Sequence, residues 1–139
     1  MMTDLFTYGT LMVPAVWRSV VEDRYRSQTA WLSDFQRLTL KNQVYPSLIP
    51  AADQIVQGVL YLDISPDDLC RIDDFEGNMY ERIGVGCTMG KNESVKAQTY
   101  LLRNEFHHLV SQQIWSLSKF LEQGGLDRFL EDYPGWSSS

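Results

Sequence analysis

Cysteine and histidine are scarce: the 139 residues contain two of each. Cys70 and Cys87 have neither the close spacing of a metal ligand set nor the partners for a disulfide framework, so both read as small buried hydrophobes. His107-His108 sit side by side, where adjacent side chains point different ways, and no second ligand cluster accompanies them; they read as a loop or helix-start pair with no metal role. Basic runs are missing too. With a formal net charge of -6 there is no cationic face to neutralise a phosphate backbone, which argues against a nucleic-acid partner. No apolar run approaches the roughly 20 residues that span a bilayer, and Met1-Met2-Thr3-Asp4 lacks a basic n-region with an apolar stretch behind it. The expectation is a cytoplasmic chain with no membrane partner. Glycine-rich phosphate loops, internal repeats and low-complexity linkers are likewise absent. What remains, 44% hydrophobic and 22% charged residues, fits a single globular domain over 1–139 with a real core.

The stretch Leu5-Phe6-Thr7-Tyr8-Gly9-Thr10-Leu11-Met12 organises the rest. A β-prone run stops at a glycine, and a helix-like segment follows. Gly9 lets the chain turn tightly or lets another group approach the main chain. Successive N–H groups after it form either an ordinary turn or a nest for an anion or a developing oxyanion.

Further along, Val13–Val21 carries Pro14 at a first helical position and apolar residues at helical intervals, which predicts a short helix. Ser27–Asn42 suits one or two strands bent near Ser33-Asp34. Two prolines in Tyr45–Pro50 remove ladder donors and predict an ordered loop beside the sheet. Gln54–Ile64 is the clearest strand, with Gly58 marking a bulge or a close approach. Ser65-Pro66-Asp67-Asp68 is a helix start with a capping serine, a proline in the first turn and two acids, and the helix runs to about Phe75 before Gly77. Tyr80–Met89 and Val95–Arg103 alternate around a turn at 90–94 and predict a hairpin. The last third reads as helical, with one stripe of Ile114, Leu117, Phe120 and Leu121, a second of Leu126, Phe129 and Leu130, and a loose Ser137-Ser138-Ser139 end. Strands interrupted by short helices and followed by a helical tail predict an α+β fold around a small, mostly antiparallel, curled or barrel-like sheet.

Glu76 is the residue singled out for chemistry. Asp73, Asp74 and Glu81 lie near it in sequence, and their charge would raise its pKa into the range of a carrier that takes and returns a proton. The same spacing also describes a solvated acidic helix end. Tyr80, four residues on, either orients a substrate or the carboxylate or is an ordinary strand aromatic. Arg82, on the same strand face as Tyr80, reads better as a balance for the acids than as a carboxylate ligand. Neither Cys70 nor Cys87 has a histidine base near it in sequence, so a cysteine nucleophile is not supported. The aromatics Trp115, Phe120, Phe129, Tyr133 and Trp136 read as core or subunit contact.

Taken together, Leu5-Phe6-Thr7-Tyr8-Gly9-Thr10-Leu11, Tyr45-Pro46-Ser47-Leu48, Gly58-Val59-Leu60-Tyr61 and Ile72-Asp73-Asp74-Phe75-Glu76-Gly77-Asn78-Met79-Tyr80-Glu81-Arg82 resemble the gamma-glutamylcyclotransferase-like family, which includes the plant avirulence-induced proteins and gamma-glutamylamine cyclotransferases. The resemblance covers nearly the whole chain. It implies a compact α+β fold with a small β-barrel and a cavity at its mouth. It also implies a reaction in which the α-amine of a γ-glutamyl compound attacks its own γ-carbonyl, releasing 5-oxoproline and an amine or amino acid. On this reading Tyr8, Gly9, Thr10 and Leu11 hold the glutamyl group, Glu76 is the acid/base and Tyr80 the downstream tyrosine; no metal or organic cofactor is needed. Implied partners are a small γ-glutamyl substrate and, at most, a second copy of the chain in a homodimer. The segment Met12–Trp17 departs from the basic, glycine-containing segment of some members, so the acceptor side of the pocket is expected to differ. A sensor module using the same cavity and an interaction domain working through the aromatic tail are the competing readings.

Overall fold

Five strands close into a ring in the computed structural model, which describes residues 2–41, 43, 45–90 and 92–122. Among these residues the order is β1 (Thr3–Thr7), a 3-10 turn (Thr10–Met12), α1 (Pro14–Val20), β2 (Ser27–Leu40), β3 (Pro46–Ile64), α2 (Pro66–Glu76), β4 (Tyr80–Met89), β5 (Glu93–Leu102), a 3-10 segment (Asn104–Leu109), β6 (Val110–Ile114) and α3 (Leu117–Glu122). The strands run β3-β1-β5-β4-β2-β6, and a long β2–β3 hairpin joins β2 back to β3 to complete the five-stranded ring, with β6 added on the flank of β2. Every pairing is antiparallel except β1 with β5, where Leu5 lies opposite Gln98. This is the expected mixed, mostly antiparallel α+β arrangement.

Because successive strand residues point to opposite faces, neighbours in β1 serve different cores. Leu5 joins Val16 and Trp17 of α1, Ile72 of α2, and Trp115 and Phe120 near the end of the described chain. Phe6 joins Ala30, Leu32, Leu48, Leu60, Cys87 and Ala97, a cluster drawn from all five strands that fills the ring. Gly58 is where β3 passes closely against β1: a Cβ there would stand 2.2 Å from the Thr7 carbonyl oxygen and 2.7 Å from the Phe6 ring. The close approach expected at Gly58 is therefore that of β1. The bend expected at Ser33-Asp34 is a break in the β2–β3 register, with Asp34 at a φ of 67° and its carboxylate accepting the Asp53 N–H at 3.1 Å.

Three expectations fail. Tyr45–Pro50 is not a loop, because β3 starts at Pro46 and pairs through to Pro50. Pro46 opens the strand and Pro50 adjoins the break at Ser33–Phe35, positions where a missing N–H costs little in ladder bonds, while Ser47 and Leu48 are buried. Ile114 is not on a helix. It ends β6, which adds to β2 with Ile114 opposite Leu38, and its side chain is 73% exposed; Val110 and Ile114 suit a helical interval and a short strand equally, and the free flank of β2 decides. Cys70 is exposed, because α2 turns Leu69 and Ile72 inward and leaves Cys70 on the outer side. Strand β5 also begins at Glu93, two residues earlier than predicted. The proposed stripe of Leu126, Phe129 and Leu130, the aromatics Tyr133 and Trp136 and the Ser137–Ser139 end lie outside the described residues. Among the described residues no helix is long and apolar enough to cross a membrane.

Candidate functional site

Strand β1 delivers the chain through Tyr8 and Gly9 into the Thr10–Met12 turn. That turn closes because Met12 N–H donates to the Gly9 carbonyl and Val13 N–H to the Thr10 carbonyl, each at 3.0 Å. The N–H groups of Thr10 and Leu11 come before the first bond of this turn and have no partner within it. Gly9 sits at a φ of -128° and a ψ of -135°, and a larger residue would be crowded there: a Cβ would lie 3.0 Å from Pro46 Cγ. The loop is held on several sides. The Tyr8 hydroxyl donates to the Tyr100 carbonyl at 2.6 Å, Arg37 Nη1 donates to the Tyr8 carbonyl at 2.8 Å, and the Tyr61 hydroxyl donates to the Leu11 carbonyl at 3.1 Å. Tyr61 in turn stacks on Trp17, with ring centroids 3.6 Å apart.

Helix α2 brings Glu76 to the same place. Ser65 caps its start by accepting the Asp68 N–H at 3.3 Å, and Gly77, at a φ of 82°, ends it by donating to the Asp73 carbonyl at 3.0 Å. Glu76 is thus the last helical residue. A cavity of about 370 Å³ is lined by Tyr8, Gly9, Thr10 and Leu11 together with Glu76 and Tyr80, so all six residues singled out in the sequence meet in one space. Its size lies within the roughly 300–1,000 Å³ of small-molecule sites.

Glu76 is half-buried, and its carboxyl makes no hydrogen bond or ion pair among the described residues. Loss of hydration in the cavity wall, reinforced by the negative charge of Asp73 one turn earlier, pushes it from 4.5 up to about 8. Glu76 thus lies half-buried on the cavity wall at the end of the helix. The expected contributions of Asp74 and Glu81 are not found: Asp74 is exposed, and Glu81 pairs with Arg103 at 3.2 Å. Burial, foremost, and the nearby Glu76 hold Tyr80 neutral by raising its pKa, and its hydroxyl donates to the Pro46 carbonyl at 3.0 Å. Burial first, and then the Tyr80 and Glu76 charges, raise Tyr8 well above the usual phenol range. The cavity wall therefore carries neutral phenols around a single raised carboxyl, with Lys41 also among its lining residues.

Sequence reading missed Arg37, Asp73 as the partner of Arg82, Tyr45 and Tyr100. Arg37 also donates to the Trp115 carbonyl and lies over that indole, 5.2 Å from the ring centroid, and burial lowers its pKa. Its place on a strand among polar residues gave no signal. Arg82 balances an acid as expected, and that acid is Asp73. Among the described residues no group of three or more His, Cys, Asp or Glu is arranged to hold a metal ion.

Comparison with known proteins agrees with this architecture. The model of the family described as "Gamma-glutamyl cyclotransferase, AIG2-like" matches residues 5–117. AIG2-like protein D of Arabidopsis thaliana is 35% identical over 102 residues, covering 72% of this chain and 67% of that protein, so the chain spans about two thirds of its relative's length. The solution structure of another Arabidopsis thaliana protein superposes with a TM-score of 0.70 at 28% identity, covering 94% of this chain and 87% of that one. A structure titled gamma-glutamyl cyclotransferase shares the fold, with a TM-score of 0.67 at 18% identity over 75% of this chain and 68% of the other. The family model matched over residues 5–117, together with the Arabidopsis thaliana relative at 35% identity, makes this chain, with its ring of strands and its Glu76 and Tyr-Gly-Thr-Leu turn on one cavity, a member of the gamma-glutamyl cyclotransferase, AIG2-like family.

Proposed function

We propose that the protein is a gamma-glutamylcyclotransferase, closing the glutamyl part of a γ-glutamyl compound into 5-oxoproline and releasing an amine or amino acid. One observation carries the reading: a carboxyl unpaired among the described residues, raised to about 8, shares a cavity of small-molecule size with the Gly9–Leu11 turn. With its pKa pushed up to about 8, Glu76 favours the protonated form at pH 7 before a substrate binds. A substrate α-ammonium entering beside it favours the ionised form, so binding releases that proton.

Glu76 then accepts a proton from the ammonium, and the freed nitrogen lone pair attacks the γ-carbonyl carbon. The new C–N bond closes a five-membered ring, and the original amide C–N bond breaks as Glu76 returns its proton to the departing nitrogen. The second proton lost by the attacking nitrogen passes through solvent to the freed amine, so the products are the lactam and an ammonium. A carboxyl near 8 suits this exchange, because its proton affinity lies far closer to that of an ammonium than an ordinary carboxylate's does. Ring closure within one bound molecule already has high effective molarity, which leaves the protein to fold the substrate and move protons. The Thr10 and Leu11 N–H groups hold the glutamyl moiety or the charge that develops on the γ-carbonyl oxygen.

The test is incubation with a panel of γ-glutamyl amino acids and γ-glutamyl amines, with 5-oxoproline followed by chromatography. Product from at least one member is expected. Thermal stabilisation by panel members without product would mean a binding module instead.

A further inference from the structure

Below Glu76 lies a network that the proton-transfer scheme does not use. Asp73 and Glu76 are three residues apart on α2, and so lie on one face of the helix. Asp73 is gripped by Arg82 of β4 in a two-point pair, Nε to Oδ1 at 2.9 Å and Nη2 to Oδ2 at 3.1 Å. The Tyr100 hydroxyl of β5 donates to the same carboxylate at 2.5 Å, and Arg82 Nη1 also donates to the Gln98 side chain. Tyr100 closes a circuit, since its carbonyl accepts the Tyr8 hydroxyl from the loop on the cavity wall. The last turn of α2, the β4–β5 hairpin and the Tyr8 loop are thus tied through two side chains of one acid and one phenol.

The geometry points to Asp73 as a positioning residue for Glu76: clamped by Arg82 and Tyr100, it fixes the end of α2 and sets a balanced charge pair one turn below the proton carrier. The pair is asymmetric toward Glu76. Asp73 lies one turn away on the same helix, and its negative charge, second to burial, contributes to the raised value of Glu76. Other ionisable groups around Glu76 are Tyr8, Tyr45, Tyr80 and Tyr100 and the cavity-lining Lys41. Burial raises the pKa values of Tyr8, Tyr80 and Tyr100. The charges that the variants below change are those of Asp73 and Arg82, with Lys41 a constant background. The functional meaning of this inference rests on Glu76 carrying the proton, but its physical content does not.

The experiment is a ¹³C NMR titration of glutamate carboxyls in the full chain, with the Glu76 signal assigned by its loss in Glu76→Gln. Asp73→Asn leaves Arg82 uncompensated and should lower the Glu76 midpoint by about half to one pH unit. Arg82→Gln leaves Asp73 uncompensated and should raise it by a similar amount, and the double variant should fall back near wild type. Opposite shifts cannot come from mere loosening of the helix end, which moves both variants toward the ordinary carboxyl range. Unchanged midpoints, or shifts of one sign in both variants, would overturn the inference. Turnover by Glu76→Gln is a separate arm: if that variant still forms 5-oxoproline, the proton-carrier reading falls while the titration result stands.

Discussion

Replacing Glu76 with glutamine should make the protein more stable, and the gain should grow with pH. In the folded chain the carboxyl keeps its proton to about pH 8, against 4.5 for the ordinary group. Between those values the unfolded chain has released a proton that the folded chain still holds, so folding stability falls as pH rises through this window. Below about pH 4.5 both states are protonated and the effect vanishes. A separation of 3.5 pH units would correspond to about 5 kcal/mol for a fully enclosed group; with Glu76 half-buried, about 3–5 kcal/mol is the expected gain at pH 9. Glutamine has nearly the same shape and no charge, so it removes this cost and little else. Urea or thermal unfolding of both proteins from pH 4 to pH 9 measures the difference, and other titrating groups cancel in the comparison. The two curves should coincide near pH 4 and separate to about 10–15 °C in Tm by pH 9. A constant difference across the range, or a variant less stable at pH 9, would refute the idea that a poorly hydrated acid lines the cavity.

Three other perturbations test the frame around it. Asp68 is buried and accepts from Glu22 N–H, Asp23 N–H, the Tyr25 hydroxyl and Arg71, bonds that outweigh the upward push of burial and hold its pKa low. Asp68→Asn turns a donor toward those donors and should cost about 2–4 kcal/mol at neutral pH; the cost should shrink as pH falls through the lowered folded value, checked by urea unfolding at pH 7 and pH 3. Gly58→Ala puts a methyl group on the Thr7 carbonyl and the Phe6 ring and should cost about 2–4 kcal/mol, read by the same unfolding curves. Gly9→Ala meets only the edge of the Pro46 ring, so it should leave stability within about 1 kcal/mol yet displace the turn and lower kcat/KM about ten-fold, read by steady-state kinetics on whichever γ-glutamyl compound turns over.

Local chemistry was the legible part of this sequence. Ser65, Pro66 and Gly77 bracket α2 because capping and helix termination depend on a few adjacent residues, and the structure has both ends within a residue of where those signals fall. Gly58 in a strand announced a close neighbour, though which neighbour came only with the ring. Pro46 and Pro50 misled because proline excludes a strand only where its N–H would bond, and that depends on a register set by β2. Ile114 misled because a five-residue interval cannot separate helix from strand when the deciding partner, Leu38, is far away in the chain. At the site, Glu76 was visible as an acid beside acids, but its solvation was not: enclosure by the Tyr8 loop, Tyr80 and Tyr100 comes from three separate segments. The Asp73–Tyr100 bond, spanning 27 residues, was beyond any local pattern.

The most direct trial of the central claim is single-turnover chemistry by wild type and Glu76→Gln on the same γ-glutamyl compound, with ligand binding followed in parallel by calorimetry. A carboxyl that moves the proton predicts binding retained within a few-fold and formation of 5-oxoproline lowered by about 10²–10⁴-fold in the variant. Equal rates of 5-oxoproline formation by the two proteins would contradict it.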